Sequence, residues 1–228
     1  MSGESVGAVV LAAGAARRMT GAGKIFVPLS GKPLLAWSVD TIHRCAFVQQ
    51  VVVVLSDVDM ERGARLCQER AWSKVVVCRG GSRRQDSVIQ GLHGLVDCGW
   101  VIIHDGARPF VTMSLLEDGL RMAGESGAAV ASVPVKDTIK LVEGEGWVRA
   151  TLRRDTLQAS QTPQVFRFDL LRSAYEGLTE DMTDDGAVVE RLGCRVRLFA
   201  GASSNIKVTT REDLALAQII AGQWTDKL

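Results

Sequence analysis

Short runs rich in β-branched and small apolar residues recur along this chain, and none alternates apolar with polar residues. They are "VGAVVLAA" (6–13), "VVVVL" (51–55), "KVVVC" (74–78), "WVIIHD" (100–105) and "GAAVASVPV" (127–135). A strand with one wet face alternates, whereas continuous runs of this length belong to strands covered on both faces. The intervening stretches, Pro33 to Arg44, Met60 to Arg70, Asp86 to Val96 and Ser114 to Gly124, carry apolar residues at about the 3.6-residue spacing of an amphipathic helix. Pro33 suits a first helical turn, and Ser114 followed by Glu117 predicts a capping box. Alternation of this kind makes βαβ units. The expected class is α/β, a mostly parallel sheet flanked by helices, with ligands beyond the carboxyl ends of its strands.

At 228 residues the chain accommodates one large domain, or one domain with an appended arm. Lys and Arg number 27 against 26 Asp and Glu, so neither nucleic acid nor an anionic membrane is expected as a partner. Any anion site must be built locally. Cys45, Cys67, Cys78, Cys98 and Cys194 are odd in number and show no C-x-x-C spacing, which favours reduced thiols and a cytoplasmic setting over a disulfide framework. His43, His93 and His104 stand apart from one another and from the cysteines, so no structural metal is expected. "MSGESVGAVV" lacks a basic region ahead of an apolar signal core, and no stretch reaches the roughly 18 apolar residues of a membrane span.

The first apolar run ends in "AAGAARRMTGAGK" (12–24). Small residues Ala12, Ala13, Gly14, Ala15 and Ala16 let backbone amides approach a ligand, and amides facing one way bind phosphate oxygens. Arg17, Arg18 and Lys24 add charge with no acidic residue among them. The alternative is a plain strand-to-helix turn with solvated arginines. The dinucleotide fingerprint fails because Ala16 stands where the second glycine is needed, and the P-loop pattern fails because Ile25 follows Gly23-Lys24.

Three later stretches carry related chemistry. In "GGSRRQDSV" (80–88), Gly80 and Gly81 permit close approach to a flat ring and Ser87 can bond a polar base edge; equally, Asp86 or Ser87 is a helix N-cap. In "HDGARPF" (104–110), Asp105 ends a strand where a carboxylate can approach a phosphate-bound metal, and Arg108 either meets a phosphate or pairs with Asp105 as scaffold. His104 is expected to serve packing or a structural hydrogen bond. Lys207, in "NIKVTTREDLALA", is expected on a short strand before a helix whose start is marked by Thr209 or Thr210 with Glu212 and Asp213. Its residues alone suggest an edge-strand lysine that discourages sheet pairing.

The loop "LAAGAARRM…GK" resembles the signature A-A-G-x-G-x-R-M followed by P-K of nucleotidyltransferases, with Ala16 in place of the second glycine and Gly23 in place of the proline. Together with "GGSRRQDSV", "HDGARPF", "QTPQVF" (161–166), "TDDGAVVE" (183–190) and "NIKVTT" (205–210), in that order, it makes most of the chain resemble the 2-C-methyl-D-erythritol 4-phosphate cytidylyltransferase family. The resemblance implies a Rossmann-like sheet with a protruding β-hairpin arm, one nucleotidyltransferase domain over 1–228, and transfer of a cytidylyl group from CTP to methylerythritol 4-phosphate with release of pyrophosphate. Ribitol 5-phosphate cytidylyltransferases share the nucleotide motifs and the arm. Outside that chemistry stand a nucleotide-binding regulator without catalysis, disfavoured by the presence of Arg18, Lys24 and Lys207, and an NAD-linked oxidoreductase, disfavoured by the missing fingerprint.

By resemblance, Arg18, Lys24 and Lys207 are catalytic, holding the triphosphate and neutralising charge at the α-phosphate; Arg17 is expected to be structural or peripheral, since adjacent residues on a loop point in different directions. Nucleotide binding falls to Ala12, Ala13, Gly14, Ala15, Gly80, Gly81, Ser87, Asp105 and Ala107, and Mg²⁺ bound with CTP lies near Asp105. Residues 136–154 form the arm, with strands Thr138 to Val142 and Trp147 to Leu152 around Gly144 and Gly146, a hairpin unable to bury itself alone. The family exchanges this arm within a homodimer. Thr138 and Arg154 then grip the substrate phosphate, with Arg108, Thr162 and Thr183 completing the substrate site and Arg153 competing with Arg154 by proximity.

Overall fold

The structure is a computed structural model that describes residues 4–14 and 23–225. Its strands are β1 (Val6–Ala12), β2 (Pro28–Leu29), β3 (Lys32–Pro33), β4 (Val48–Leu55), β5 (Val75–Arg79), β6 (Trp100–Asp105), β7 (Ala128–Pro134), β8 (Lys140–Glu143), β9 (Trp147–Thr151), β10 (Gln158–Arg167) and β11 (Arg197–Ala200). Its helices are α1 (Leu34–Arg44), α2 (Met60–Glu69), α3 (Arg84–His93), α4 (Met113–Ser126), α5 (Phe168–Tyr175), α6 (Asp185–Glu190) and α7 (Arg211–Thr225). Seven strands form one sheet in the order β11-β7-β10-β6-β1-β4-β5. β1 pairs in parallel with β4 and β6, β4 with β5, and β7 with β11, while β10 runs antiparallel to both its neighbours, β6 and β7.

The five continuous runs are the strands β1, β4, β5, β6 and β7, and the pleat explains the continuity of all but β5, which is expected to be covered on both faces but lies at the sheet edge and leaves Val76 exposed. Ala8, Val10 and Ala12 of β1 enter a core with Leu35 of α1, Leu66 of α2 and Leu116 of α4. Val9 enters the opposite core with Val88 of α3, Leu171 of α5 and Val188 of α6. Both faces are covered, and each fully buried Val or Leu contributes about 1.5–3 kcal/mol. A third cluster joins Leu29, Leu34, Trp37, Phe110, Val208, Ala217 and Ala221. This cluster matters for function, because it locks the segments bearing Asp105 and Lys207 to the same body.

Local structure departs from sequence expectation in several places. α4 is capped by Thr112, whose Oγ1 accepts from Leu115 N at 3.1 Å, and not by Ser114. A cap residue needs extended backbone, which Thr112 has at φ −106° and ψ 159°, whereas Ser114 already lies inside the helix. Pro33 precedes α1 with extended backbone, pairing with Pro28 across the β2–β3 ribbon. α3 starts at Arg84, so neither Asp86 nor Ser87 is its N-cap; Asp86 Oδ2 instead accepts from Arg83 N at 3.0 Å from within the first turn. Lys207 lies on no strand, and its segment makes a backbone bond from Val208 N to Ala107 O at 2.8 Å. At the start of α7, Asp213 Oδ2 accepts from Thr209 N and Thr210 N, and Thr210 Oγ1 accepts from Asp213 N, a reciprocal cap at the expected place.

The arm is a two-stranded antiparallel hairpin of β8 and β9. Leu141, Val142, Trp147 and Val148 are exposed on it, Trp147 to 76%. The unforeseen element is β10, whose ladder with β7 is interrupted between Ser160 and Gln164. Such irregularities re-aim side chains, and this one turns Thr162 toward the end of β6.

Candidate active site

The carboxyl ends of β1 and β6 lie side by side, with Leu11 opposite Asp105 in the parallel register. A cleft of about 600 Å³ opens over them. Ala12, Ala13 and Gly14 form one wall, Gly81 and Ser87 another, and Lys24, Asp105, Ala107 and Lys207 bring charge and backbone to the floor. All the described members of the predicted nucleotide set except Gly80 therefore converge on this cleft. A Cβ on Gly80 would fall 2.5 Å from Ala13 Cβ and 2.7 Å from Ser87 Oγ, and one on Gly81 would fall 2.2 Å from Asp86 Cβ. Both glycines are required by packing of the protein on itself, and Gly80 does not line the cleft. Ser87 Oγ accepts from Gly81 N and donates to Arg83 O, each at 3.2 Å, which fixes the loop above α3.

Asp105 is the electrostatic centre. Lys207 Nζ lies 2.9 Å from its Oδ2 and Arg108 Nε 3.3 Å from the same oxygen. Burial works to raise its pKa, but Lys207, then Arg84 and Arg108, outweigh burial and hold it to about 2. Arg108 also donates from Nη1 to Asn205 O at 2.8 Å, so the scaffold alternative for Arg108 describes its contacts.

A hydrogen-bond chain beneath Asp105 has one consistent proton assignment. His104 Nε2 lies 3.0 Å from Arg108 O, a carbonyl that can only accept, so Nε2 carries the proton. Burial pushes the imidazole pKa down to about 4, so the ring is neutral and Nδ1 is bare. Nδ1 therefore accepts from the Thr162 hydroxyl at 3.1 Å, while Thr162 Oγ1 accepts from Asp105 N at 2.9 Å. Thr162, expected on substrate, has its hydroxyl engaged inside the protein. Asn205 Nδ2 clamps the same corner by donating to Thr162 O at 2.8 Å.

A smaller cavity of about 190 Å³ adjoins the cleft, lined by Ser160, Gln161, Thr183 and Asp184 with Arg108 and Thr162. Arg84, Asp105 and Lys207 line both spaces. Gln164 organises this side, its Oε1 accepting from Asp185 N and Gly186 N, each at 3.1 Å, and its Nε2 donating to Asp184 Oδ2 at 3.0 Å. Thr138 and Arg154 line neither space. Arg154 is exposed and donates to Lys136 O at 2.9 Å, while Arg153 pairs with Asp155 at 2.6 Å. Ala15, Ala16, Arg17 and Arg18 lie outside the described residues. Gly23 stands at φ +81°, a value proline cannot adopt, so its departure from the signature P-K is matched by the local backbone.

Sequence reasoning missed Arg84, Gln164 and Asn205. Arg84 and Arg83 are adjacent and chemically identical, and only packing separates an inward from an outward side chain. Gln164 and Asn205 sit inside quoted motifs, yet the role of Gln164 depends on β10 meeting α6, and that of Asn205 on the segment before α7 meeting β10.

A mostly parallel sheet whose strand ends place a nucleotide-sized cleft beside a small polar cavity, joined at two cations and a carboxylate, defines an α/β transferase site for phosphorylated ligands. The profile of the family described as 2-C-methyl-D-erythritol 4-phosphate cytidylyltransferase (IspD) matches residues 6–223. The chain is 47% identical over 218 residues to the 2-C-methyl-D-erythritol 4-phosphate cytidylyltransferase of Dehalococcoides mccartyi (strain CBDB1), covering 95% of this chain and 96% of that protein. It is 41% identical over 226 residues to the protein of that name from Shouchella clausii (strain KSM-K16), covering 97% and 98%. The crystal structure of the Thermus thermophilus enzyme of that name superposes with a TM-score of 0.76 at 32% identity, over 94% of this chain and 98% of that one. The 4-diphosphocytidyl-2C-methyl-D-erythritol synthase structure from Anaerococcus prevotii DSM 20548 gives 0.86 at 26% identity, over 96% of each chain. The chain belongs to the 2-C-methyl-D-erythritol 4-phosphate cytidylyltransferase family and is a nucleotidyltransferase.

Proposed function

We propose that the chain converts CTP and 2-C-methyl-D-erythritol 4-phosphate to 4-diphosphocytidyl-2-C-methyl-D-erythritol and pyrophosphate, in non-mevalonate isoprenoid precursor biosynthesis. The observation that carries the reading is the junction of a large cleft and a small cavity at Asp105, Lys207 and Arg84, where two phosphate-bearing ligands would touch among cations. An ionised oxygen of the substrate phosphate attacks the α-phosphorus of CTP in line. A new P–O bond forms, and the bond to the bridging oxygen breaks with its electron pair leaving on pyrophosphate. The attacking phosphate is already ionised at neutral pH, so no general base is required, in keeping with a His104 whose ring nitrogens are both engaged. Lys24 and Lys207, with Arg18, neutralise the charge that develops. The Gly81 carbonyl and the acceptor lone pair left on Ser87 Oγ beside its bonds to Gly81 N and Arg83 O would read the base, and Thr183 would face the substrate from the smaller cavity.

Mg²⁺ bound with CTP supplies further neutralisation of the phosphates. Asp105 would lie near it, its Oδ2 already paired with Lys207 and Arg108, so that water and substrate phosphates would supply most of the ligands. The arm supports a homodimer: its exposed Trp147, Val142 and Val148 need a partner surface, and exchange would carry Thr138 and Arg154 to a neighbour's smaller cavity. Free cysteines support a cytoplasmic setting, and among the described residues no helix is long and apolar enough to cross a membrane. The test is pyrophosphate release from CTP, Mg²⁺ and methylerythritol 4-phosphate, run beside ribitol 5-phosphate and a Lys24→Ala control. Release that needs methylerythritol 4-phosphate and is lost in the control is expected; equal or better turnover of ribitol 5-phosphate would overturn the substrate assignment.

A further inference from the structure

Arg83 and Arg84 are neighbours that the structure sends opposite ways. Arg83 stays at the surface, with Nη2 2.8 Å from Asp86 Oδ1 and Nη1 3.3 Å from Asp181 Oδ1. Arg84 turns inward and places Nη2 2.6 Å from Oδ2 of Asp185, whose other oxygen accepts from the Tyr175 hydroxyl. Asp185 is fully buried at the first turn of α6, with its own N–H held by Gln164. Elements α5, α6 and β10 thus converge on the Asp185 side of the guanidinium. A guanidinium carries five N–H donors, so anchoring on that side leaves donors able to meet a second anion. The Arg84 side chain keeps 28% of its exposure and lines both the cleft and the smaller cavity, a position it shares with Asp105 and Lys207. In-line transfer presses the acceptor phosphate against the α-phosphate, and the densest negative charge arises at that junction.

We infer that Arg84 is a further catalytic residue, contacting a phosphate oxygen where the two cavities meet, and that Asp185 and Tyr175 are positioning residues that aim it. The inference rests on the proposed reaction. The competing role is purely structural, with Arg84 serving only to neutralise buried Asp185.

Removing Arg84 alone leaves a buried carboxylate without its counter-charge and endangers folding. The decisive variant is therefore Arg84→Gln combined with Asp185→Asn, which removes both charges and keeps hydrogen-bonding groups in place. Steady-state pyrophosphate release with both substrates varied, CTP binding by equilibrium dialysis and thermal unfolding are measured on it and on the wild type. A folded double variant that still binds CTP and loses about a hundredfold in kcat/KM for methylerythritol 4-phosphate is expected. Turnover within about threefold of the wild type would overturn the inference, because a structural role is satisfied by the neutral pair. Should that variant not fold, Arg84→Lys decides: it keeps the charge on Asp185 but lacks the fork, and at least about a tenfold fall in kcat is expected, against wild-type kcat for a structural role. Tyr175→Phe retains both charges and is expected to lower kcat while leaving CTP binding unchanged; unchanged kcat would remove Tyr175 from the aiming role. A wild type that releases no pyrophosphate overturns the proposed reaction itself and this inference with it, whereas an active wild type matched by its folded double variant overturns the inference alone.

Discussion

Lys207 Nζ stands 2.9 Å from Asp105 Oδ2, although Asp105 ends the strand β6 and Lys207 belongs to the segment leading into the last helix, α7. Packing makes this pair. Val208 is buried in one cluster with Phe110, and Val208 N donates to Ala107 O, so the two motifs move as one body. A cation held this way is in position before any ligand arrives, and its ordering is achieved during folding and not at the moment of reaction.

Lys24→Ala and Lys207→Ala are each expected to lower kcat by about a hundredfold or more, the usual effect of removing one transition-state cation. Pyrophosphate release at saturating CTP measures it. A fall of less than about tenfold in either variant would take that lysine out of the reaction.

The depressed pKa of Asp105, about 2 against an ordinary value of 3.8, makes stability depend on pH. The native state binds this proton less readily than the unfolded chain. The stabilising contribution is therefore complete above the unfolded value and is lost as pH falls through about 2. Urea unfolding of the wild type and Asp105→Asn across this acid range is expected to show a steeper loss in the wild type, on the order of 2 kcal/mol over the window. Parallel curves would contradict the assignment.

His104 titrates in the same sense at higher pH. Burial lowers its pKa from 6.5 to about 4, so its neutral form favours folding most above 6.5, and stability falls as pH drops toward 4. Thr162→Val removes the hydroxyl that receives Asp105 N–H and supplies His104 Nδ1, leaving two buried groups unpaired. A loss of about 1–3 kcal/mol is expected in chemical denaturation. Thr162→Ser should retain most of the stability; equal losses would show that the methyl, and not the hydroxyl, matters.

Gly23→Pro restores the residue of the signature loop but demands a backbone that position 23 does not have, at φ +81°. A loss of stability of about 1–3 kcal/mol and a lower kcat through displaced Lys24 are expected. An unfolding curve and a kcat unchanged from wild type would show that the loop accepts both backbones.

Trp147→Asp with Val148→Asp places charge on both faces of the arm, since successive strand residues point opposite ways and both are exposed. Sedimentation equilibrium is expected to show a dimeric wild type and a monomeric variant, with turnover falling alongside. A dimer that survives both substitutions would move the interface elsewhere.

Most of the sheet was legible because burial on both faces leaves its mark along β1, β4, β6 and β7; β5 reads the same way in sequence although it is an edge strand with Val76 exposed. Strand β10 escaped because its stretch, "QASQTPQVFR", mixes polar and apolar residues, and its antiparallel place between β6 and β7 depends on two neighbours distant in sequence. The Ser114 capping box failed by two residues for a local reason, since Thr112 offers the same hydroxyl from the backbone conformation that a cap requires.

The amino-acid order by itself determined the α/β class, the local cap of α7 and the exposed apolar hairpin, because periodicity and turn residues are properties of neighbours along the chain. The tertiary structure alone decided that Arg84 faces inward and Arg83 outward, that Thr162 serves His104 and the Asp105 backbone, and that Lys207 meets Asp105. Each of these depends on which elements pack together, and a buried ion pair or hydrogen bond is set by partners that no window of sequence brings within reach.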